Sequence, residues 1–338
     1  MDHKILFISH FFSENIVGTQ RIKHLYNFLK KRGNNVEIFC NNSYESKLNF
    51  SLAIIKKIYR SKAKLVFVSC GPFYYLLASV IASVIFKKKL IIDIRDPLSF
   101  NVKILVSKIS ITTIKRKLFK KYYQILENIS YKYSNYYIVC TLGMYCKYAE
   151  LFKNVEKLLF IPNGYNFTPE NQNIDYTNKD IEKYICIGKF FEYSYIQANK
   201  IIDMILERQK KNGKKVYIHF YGSEEVFIYK LKNDLSKYSY IYIEHFPRIE
   251  YEKVIKILPE YDCGIIVIRN EDFDYGTKIY DFIGKGIPVL DTFDHKKNFY
   301  NMFSKYLVSI DGVFEHYIPD KSFNRDEIWA KNEWIFKN

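Results

Sequence analysis

Short, continuously apolar runs alternate with helix-period segments along almost the whole chain, and the alternation breaks once. In the first half, Ile5–Ser9, Val36–Cys40, Leu65–Ser69, Leu90–Ile94, Tyr136–Cys140 and Leu158–Ile161 read as strands. Between them, Ile22, Leu25, Tyr26, Phe28 and Leu29 recur at helical spacing before Arg32-Gly33. Phe73–Phe86, a stretch from about Ile114 to Tyr133, and Met144–Phe152 read as further helices. Strands that do not alternate with polar residues are buried on both faces, which implies a parallel sheet covered by helices on each side. The break falls at Pro162-Asn163-Gly164, followed by polar residues from about Asn166 to Lys183. A second set then begins. Its strands are Tyr184–Ile187, Val216–Tyr221, Tyr240–Glu244, Gly264–Ile268 and Pro288–Leu290. Its helices are Tyr195–Lys210, a stretch near Glu225–Leu235, Tyr251–Leu258 and Thr277–Ile283. A final helical run, Arg325–Phe336, carries Trp329 and Trp334. The expectation is α/β, with two doubly wound domains over residues 1–164 and 165–320, their strand carboxyl ends facing a central cleft. Residues 321–338 are expected to pack near the linker or back onto the first domain.

Composition narrows the function classes. With 338 residues and 48% hydrophobic content the chain can fill two sizeable cores, which excludes disorder. The formal charge of +16, from 52 basic and 36 acidic residues, favours anionic partners such as nucleotide phosphates or an anionic lipid surface. Heavy use of Lys, Asn, Ile, Tyr and Phe, including 31 Tyr, shows that part of this charge reflects compositional bias. No nucleic-acid reader motif is present and the charge is not gathered into one stripe, so nucleic acid is not an expected partner. The six cysteines, Cys40, Cys70, Cys140, Cys146, Cys186 and Cys263, never form a C-x-x-C pair, which argues against zinc and against a disulfide framework. Met1-Asp2-His3-Lys4 runs straight into a strand rather than a signal peptide, so a cytoplasmic, reduced chain is expected. A bilayer span needs about 20 apolar residues, more than Phe73–Phe86 provides.

Residues 276–290, Gly-Thr-Lys-Ile-Tyr-Asp-Phe-Ile-Gly-Lys-Gly-Ile-Pro-Val-Leu, concentrate the chemistry. Thr277 and Lys278 open a helix, Asp281 lies one turn in, Gly284 and Gly286 stop it, and Pro288 leads into a strand. A helix N-terminus with a lysine in its first turn suits a diphosphate, and an acid one turn deeper suits the hydroxyls of a ribose. The first strand–helix turn, His10 to Thr19, has the single Gly18 and Arg21 beyond it, so it lacks the G-x-G-x-x-G of a dinucleotide dehydrogenase. Asp93-Ile94-Arg95-Asp96-Pro97 ends an apolar strand, the position where active sites form in such sheets. Read without a ligand, the same acids would form an Arg95–Asp pair closing the strand end.

Together these motifs resemble the family-4-like glycosyltransferases of the GT-B fold that build bacterial surface polysaccharides, capsule or lipopolysaccharide. GT-B consists of two Rossmann-like domains. The donor stretch of that family, a Lys-x-x-acid run leading to Gly-Lys-x-Pro-Val, is similar to residues 276–290. Asp93–Asp96 resembles its Asp-x-Arg-Asp segment, and Ile161-Pro162-Asn163-Gly164 resembles its interdomain hinge. Cys186-Ile187-Gly188-Lys189 matches the strand end where the family has Gly-Arg, and His219–Ser223, containing Gly222, resembles its strand-then-glycine loop. Gly18 falls in the loop that closes over the donor diphosphate.

The resemblance implies a metal-independent transferase of the hexosyltransferase type, retaining, without cofactor. It would move a sugar from a nucleotide-diphosphate donor to a hydroxyl of a lipid-linked surface glycan. Asp96, then Asp93, are the candidate catalytic acids facing the acceptor hydroxyl. Gly18, Gly188, Lys189, Gly222, Thr277, Lys278 and Asp281 are the candidate donor-binding residues. Two departures stand out. Ser194 occupies the place of the family's second lysine, and Phe273, flanked by Asp272 and Asp274, occupies the place of its first glutamate. They keep two alternatives open: a catalytically silent relative serving as a binding subunit, and a GT-B sugar-nucleotide epimerase. Lys115, Arg116, Lys117, Lys120 and Lys121, beside Leu118, Phe119, Tyr122 and Tyr123, form a basic amphipathic segment suited to the inner-membrane surface.

Overall fold

The computed structural model describes residues 4–12, 19–41, 46–100, 113–169 and 180–337; for Thr113, Ile114 and Arg116 it describes only the backbone. Gly18 lies outside the described residues, as does most of the polar segment after the Pro-Asn-Gly break. The chain divides into two compact units, one of residues 1–163 with 328–338 and the other of residues 164–327.

The first unit runs β1 (Lys4–Ser9), α1 (Gln20–Lys31), β2 (Asn35–Cys40), α2 (Lys47–Arg60), β3 (Leu65–Cys70), α3 (Leu76–Ile85), β4 (Lys89–Ile94), α4 (Thr113–Tyr133), β5 (Tyr136–Val139), α5 (Leu142–Phe152) and β6 (Leu158–Phe160). Its strands form one sheet in the order β2-β1-β3-β4-β5-β6, parallel throughout. All six residues of β3 are buried, as a strand covered on both faces must be. Helix α2 was not anticipated from the sequence. Ser46 caps it by accepting from the Asn49 amide at 3.0 Å, and Phe50, Ile54 and Ile58 form its buried stripe.

The second unit runs β7 (Ile181–Ile187), α6 (Tyr195–Asn212), β8 (Lys215–Tyr221), α7 (Glu225–Leu235), β9 (Ile241–Phe246), α8 (Tyr251–Ile257), β10 (Cys263–Ile265), α9 (Lys278–Lys285), β11 (Val289–Leu290), α10 (Asn298–Phe303) and β12 (Leu307–Val308). Its parallel sheet has the order β12-β11-β10-β7-β8-β9. Strand β10 is shorter than the sequence suggests. Its neighbour β11 pairs with it only at Gly264–Val289, so the ladder ends. Ile266, Val267 and Ile268 continue as buried coil, held by side-chain packing and by the Ile268 amide donating to Gln197 Oε1 at 3.3 Å. Gly284 lies inside α9 rather than stopping it. A Cβ there would stand 2.5 Å from the Tyr165 ring, so the glycine admits that ring against the helix. Gly286, at φ +69°, makes the left-handed cap.

Ile328, Trp329, Ile335 and Phe336 enter the core of the first unit, beside Ile5, Phe7, Ile22 and Phe67. One buried arginine ties these parts together. Arg21 on α1 donates from Nε to both carboxylate oxygens of Asp93 at 3.2 Å and from Nη2 to Oδ1 at 3.1 Å. It also donates to the carbonyls of Pro162 (2.7 Å) and Ile161 (3.0 Å), and its guanidinium lies 5.0 Å from the Trp329 ring. The partner of Asp93 is therefore Arg21, not Arg95. Asp93 is 1% exposed. This closed pair leaves it no free face toward an acceptor, and it serves as an anchor at the strand end.

Among the described residues, no helix is long and apolar enough to cross a membrane. Arg21→Met strands a buried carboxylate, and the expected loss is about 3–5 kcal/mol in denaturant unfolding of the full chain. Adding Asp93→Leu restores most of it, because the uncompensated charge is removed. A midpoint unchanged by Arg21→Met alone would show that the pair contributes nothing.

Candidate functional site

At the carboxyl end of β7 the backbone turns through Gly188, at φ +81°, where the amide donates to the Tyr221 carbonyl at 2.6 Å. On the neighbouring strand, Gly222, at φ +75°, turns the chain again and donates to the Phe246 carbonyl at 3.0 Å. Ser223 ties the two turns by donating to the Gly188 carbonyl at 2.6 Å. Glu192 closes the loop, accepting from the amides of Phe190 and Glu224, each at 3.0 Å. The result is a rigid double turn whose glycines keep its surface free of side chains.

Lys278 reaches into this place. It is the first residue of α9, after Thr277 and after Gly276 at φ +66°. Its ammonium lies over Gly188, where a Cβ would push this flexible side-chain end aside; glycine at 188 is required by its own left-handed φ of +81°. Lys278 makes no hydrogen bond or ion pair among the described residues. Burial lowers its pKa, and the Arg248 cation acts in the same direction while Asp281 opposes it. An ammonium drawn out of water without a counterion is costly unless an anion arrives.

Two further cations stand close by, and sequence reasoning missed both. Arg269 stacks its guanidinium 4.6 Å from the centroid of the Tyr193 ring, and the Lys278 ammonium lies 6.0 Å from the same ring. Arg248 packs its Cβ 3.3 Å from the Cβ position of Gly222. Lys189 is exposed on the Gly188 turn. Ser194, at the family's second-lysine place, caps α6 by accepting from the Gln197 amide at 3.2 Å. The pattern Ser-x-x-Gln, an N-terminal capping signature, was readable in the sequence.

Asp281 sits one turn beyond Lys278 and is 7% exposed. The Tyr251 hydroxyl donates to its Oδ1 at 2.6 Å. Burial raises its pKa to about 6, against the stabilising hydrogen bond from Tyr251 and the positive charges of Arg325 and Lys278. Asp272 is engaged by Lys297 at 2.9 Å, and Asp274 lies 3.8 Å from Arg269. Among the described residues, no three His, Cys, Asp or Glu side chains converge as a metal site.

In the first unit, Asp96 is exposed beyond β4, and its Oδ2 lies 3.6 Å from the Cβ position of Gly71 at the end of β3. The loop after it is held from below. Glu127 on α4, itself buried, accepts from the amides of Leu98 (3.2 Å) and Ser99 (3.1 Å) and from the Tyr148 hydroxyl (2.5 Å). The Cys140 thiol donates to the Arg95 carbonyl at 3.3 Å. Lys115, Lys117, Lys120 and Lys121 are exposed along α4, as are Leu118, Phe119, Tyr122 and Ile125; the Arg116 side chain lies outside the description.

No family model and no curated protein sequence matches this chain. Solved structures do match. The UDP-GlcNAc 2-epimerase of Methanocaldococcus jannaschii aligns over 99% of each chain, at 11% identity and a TM-score of 0.57. The lipopolysaccharide outer core galactosyltransferase WaaB aligns over 85% of this chain and 80% of its own, at 12% identity and a TM-score of 0.55. Anabaena HepE, solved with UDP and glucose, aligns over the same shares at 13% identity and a TM-score of 0.52. Two parallel six-stranded sheets with flanking helices, shared with glycosyltransferases and an epimerase of this architecture, establish the GT-B fold.

The raised pKa of Asp281 has a measurable sign. The folded chain holds this proton more tightly than the unfolded one, so the associated stability is present below the ordinary carboxyl value of 3.8 and is lost as pH rises through about 6. Asp281→Asn should therefore be more stable than the parent at pH 7, by about 2–3 kcal/mol, with the difference vanishing toward pH 4. Denaturant unfolding across that range checks it, and a variant less stable at pH 7 than at pH 4 relative to the parent contradicts it.

Proposed function

We propose that this chain is a glycosyltransferase of the family-4-like, surface-polysaccharide type, transferring a hexose from a nucleotide-diphosphate donor to a hydroxyl of a lipid-linked glycan. The observation that carries the reading is Lys278: an ammonium that has no ion pair among the described residues, held against a glycine turn at the N-terminus of a helix. A diphosphate supplies the missing charge and accepts from the helix amides. Arg248 and Arg269, at the Gly222 turn and on the Tyr193 ring, add positive potential beside Lys278. Gly188, Gly222 and Thr277 shape the backbone around the phosphates, and Lys189 adds an exposed cation. Asp281, fixed by Tyr251, takes the ribose hydroxyls. UDP in solved neighbours of this fold, with glucose in HepE, supports a nucleotide-sugar donor.

In the reaction, the bond between the anomeric carbon and the phosphate oxygen breaks, and the diphosphate leaves with the electron pair. The acceptor oxygen bonds to the anomeric carbon and its proton passes to the Asp96 carboxylate. Preorganised amides and cations stabilise the departing diphosphate, the role a metal has in other transferases. Retention of configuration follows the family resemblance. Asp93, closed in its pair with Arg21, supports this edge without touching substrate.

The basic face of α4 is the proposed contact with the cytoplasmic surface of the inner membrane. Its exposed Leu118, Phe119, Tyr122 and Ile125, and the exposed Leu77, Ile81, Val84 and Ile85 of the adjacent α3, add an apolar component to the charge.

Lys278→Ala is expected to weaken binding of UDP and other nucleoside diphosphates by about 1.5–3 kcal/mol, read by calorimetry, without lowering the stability of the unliganded chain. Asp96→Asn keeps that affinity and loses turnover. Equal UDP affinity for Lys278→Ala and the parent removes the donor site, and the transferase reading with it. UDP binding with no release of nucleotide from any UDP-sugar indicates a silent binding subunit, and a sugar epimerised without transfer indicates the epimerase.

Changing Lys115, Arg116, Lys117, Lys120 and Lys121 to Gln should abolish flotation with phosphatidylglycerol vesicles at low salt, since each cation near such a surface contributes about 1 kcal/mol. A parent chain that ignores these vesicles leaves the segment an ordinary solvated face.

A further inference from the structure

The carboxyl edge of the first sheet carries a second polar group that the donor chemistry does not use. His10 follows β1, Asn41 follows β2 and Tyr74 follows β3, on adjacent strands. Asn41 Nδ2 donates to the Tyr74 hydroxyl at 3.0 Å, and the Tyr74 oxygen lies 2.7 Å from His10 Nδ1. Asn41 Nδ2, which can only donate, also lies 3.3 Å from His10 Nδ1, so Nδ1 accepts there and the Tyr74 hydroxyl points its proton to it. Nδ1 is thereby an acceptor, and the proton of the neutral ring sits on Nε2. Nε2 has no partner among the described residues. Burial and the nearby Lys47 lower the His10 pKa, which favours the neutral ring. The ring is also fixed sterically, with Phe11 edge-on at 4.1 Å and Phe50 edge-on at 6.3 Å.

We propose that His10, oriented by Tyr74 and Asn41, is a hydrogen-bond donor of the acceptor subsite, giving its Nε2 proton to a sugar hydroxyl oxygen. The chemistry at this edge favours a neutral carbohydrate. A neutral imidazole donates, the Asp96 carboxylate against Gly71 accepts, and Phe11, 46% exposed, offers an apolar ring for the C–H face of a sugar. A ring whose Nε2 already carries its proton does not serve as a base through that atom, so His10 binds while Asp96 takes the proton. This assignment rests on the transferase reading for its substrate class.

The test uses the full chain labelled with 15N-histidine. The His10 resonances are assigned by their loss in His10→Gln, and octyl β-D-glucopyranoside, octyl β-D-galactopyranoside and the N-acetylglucosamine counterpart are titrated in the presence of UDP. The expected result is an Nε2–H tautomer whose Nε2 signal moves with at least one glycoside. Tyr74→Phe should mix the tautomers, and His10→Leu should weaken that glycoside about tenfold with UDP affinity unchanged, while His10→Gln retains most of the binding through its amide donor. An Nδ1–H tautomer in the parent, or an imidazole that none of the three glycosides moves, overturns the proposal. Transfer to a glycoside with the same KM in His10→Leu removes the subsite and leaves the transferase standing. An imidazole that responds in a chain consuming no UDP-sugar keeps the subsite and removes the transferase.

Discussion

The buried pair of Arg21 and Asp93 is the constraint on which the first unit depends. A guanidinium out of water must have its donors satisfied, and here the groups around it come from three other, distant parts of the chain. Helix α1 supplies the arginine and β4 the carboxylate. The strand leaving the unit supplies the carbonyls of Ile161 and Pro162, and the C-terminal segment supplies Trp329. Each is positioned because the others are. The strand end that precedes Asp96 is therefore set by a charge network beneath it, and Glu127 continues that support under the loop at Leu98 and Ser99.

The second unit solves a different problem, bringing a cation to a backbone turn and leaving space for an anion between them. Gly188 and Gly222 give the turn its left-handed conformations, and Ser223 and Glu192 fix its shape. Lys278 then meets a surface from which a side chain is excluded. Both Lys278 and Asp281 hold their charged forms at a cost in the unliganded chain, which is the signature of groups arranged for a partner rather than for each other.

Much of the architecture was legible in the sequence because the relevant signals are local. Continuous apolar strands, helical periodicity and the Pro-Asn-Gly interruption each occupy a few residues, as does the Lys278–Asp281 spacing. What escaped depends on distance. Nothing near Arg21 shows that it meets Asp93, and the segment 93–96 offered Arg95 as the more obvious partner. The contributions of Arg269 and Arg248 come from separate strand ends, and His10, Asn41 and Tyr74 are united only by the order β2-β1-β3. Gly284 looked like a stop because helix propensity cannot show the Tyr165 ring that requires it. Ser194 is the exception: its capping pattern is local, but comparison with a lysine drew attention to what the position lacks.

The return of Ile328–Phe336 to the first unit has a consequence for how the molecule is made. A ribosome delivers the first unit's strands early, yet the core containing Ile5, Phe7 and Phe67 is closed by Trp329 and Phe336, which emerge only after the whole second unit. The earliest-synthesised half is thus the last to be completed, and its apolar interior stays open to chaperones throughout translation of the other. Cutting the chain at the Pro-Asn-Gly break does not yield two independent proteins. The N-terminal piece lacks part of its own interior.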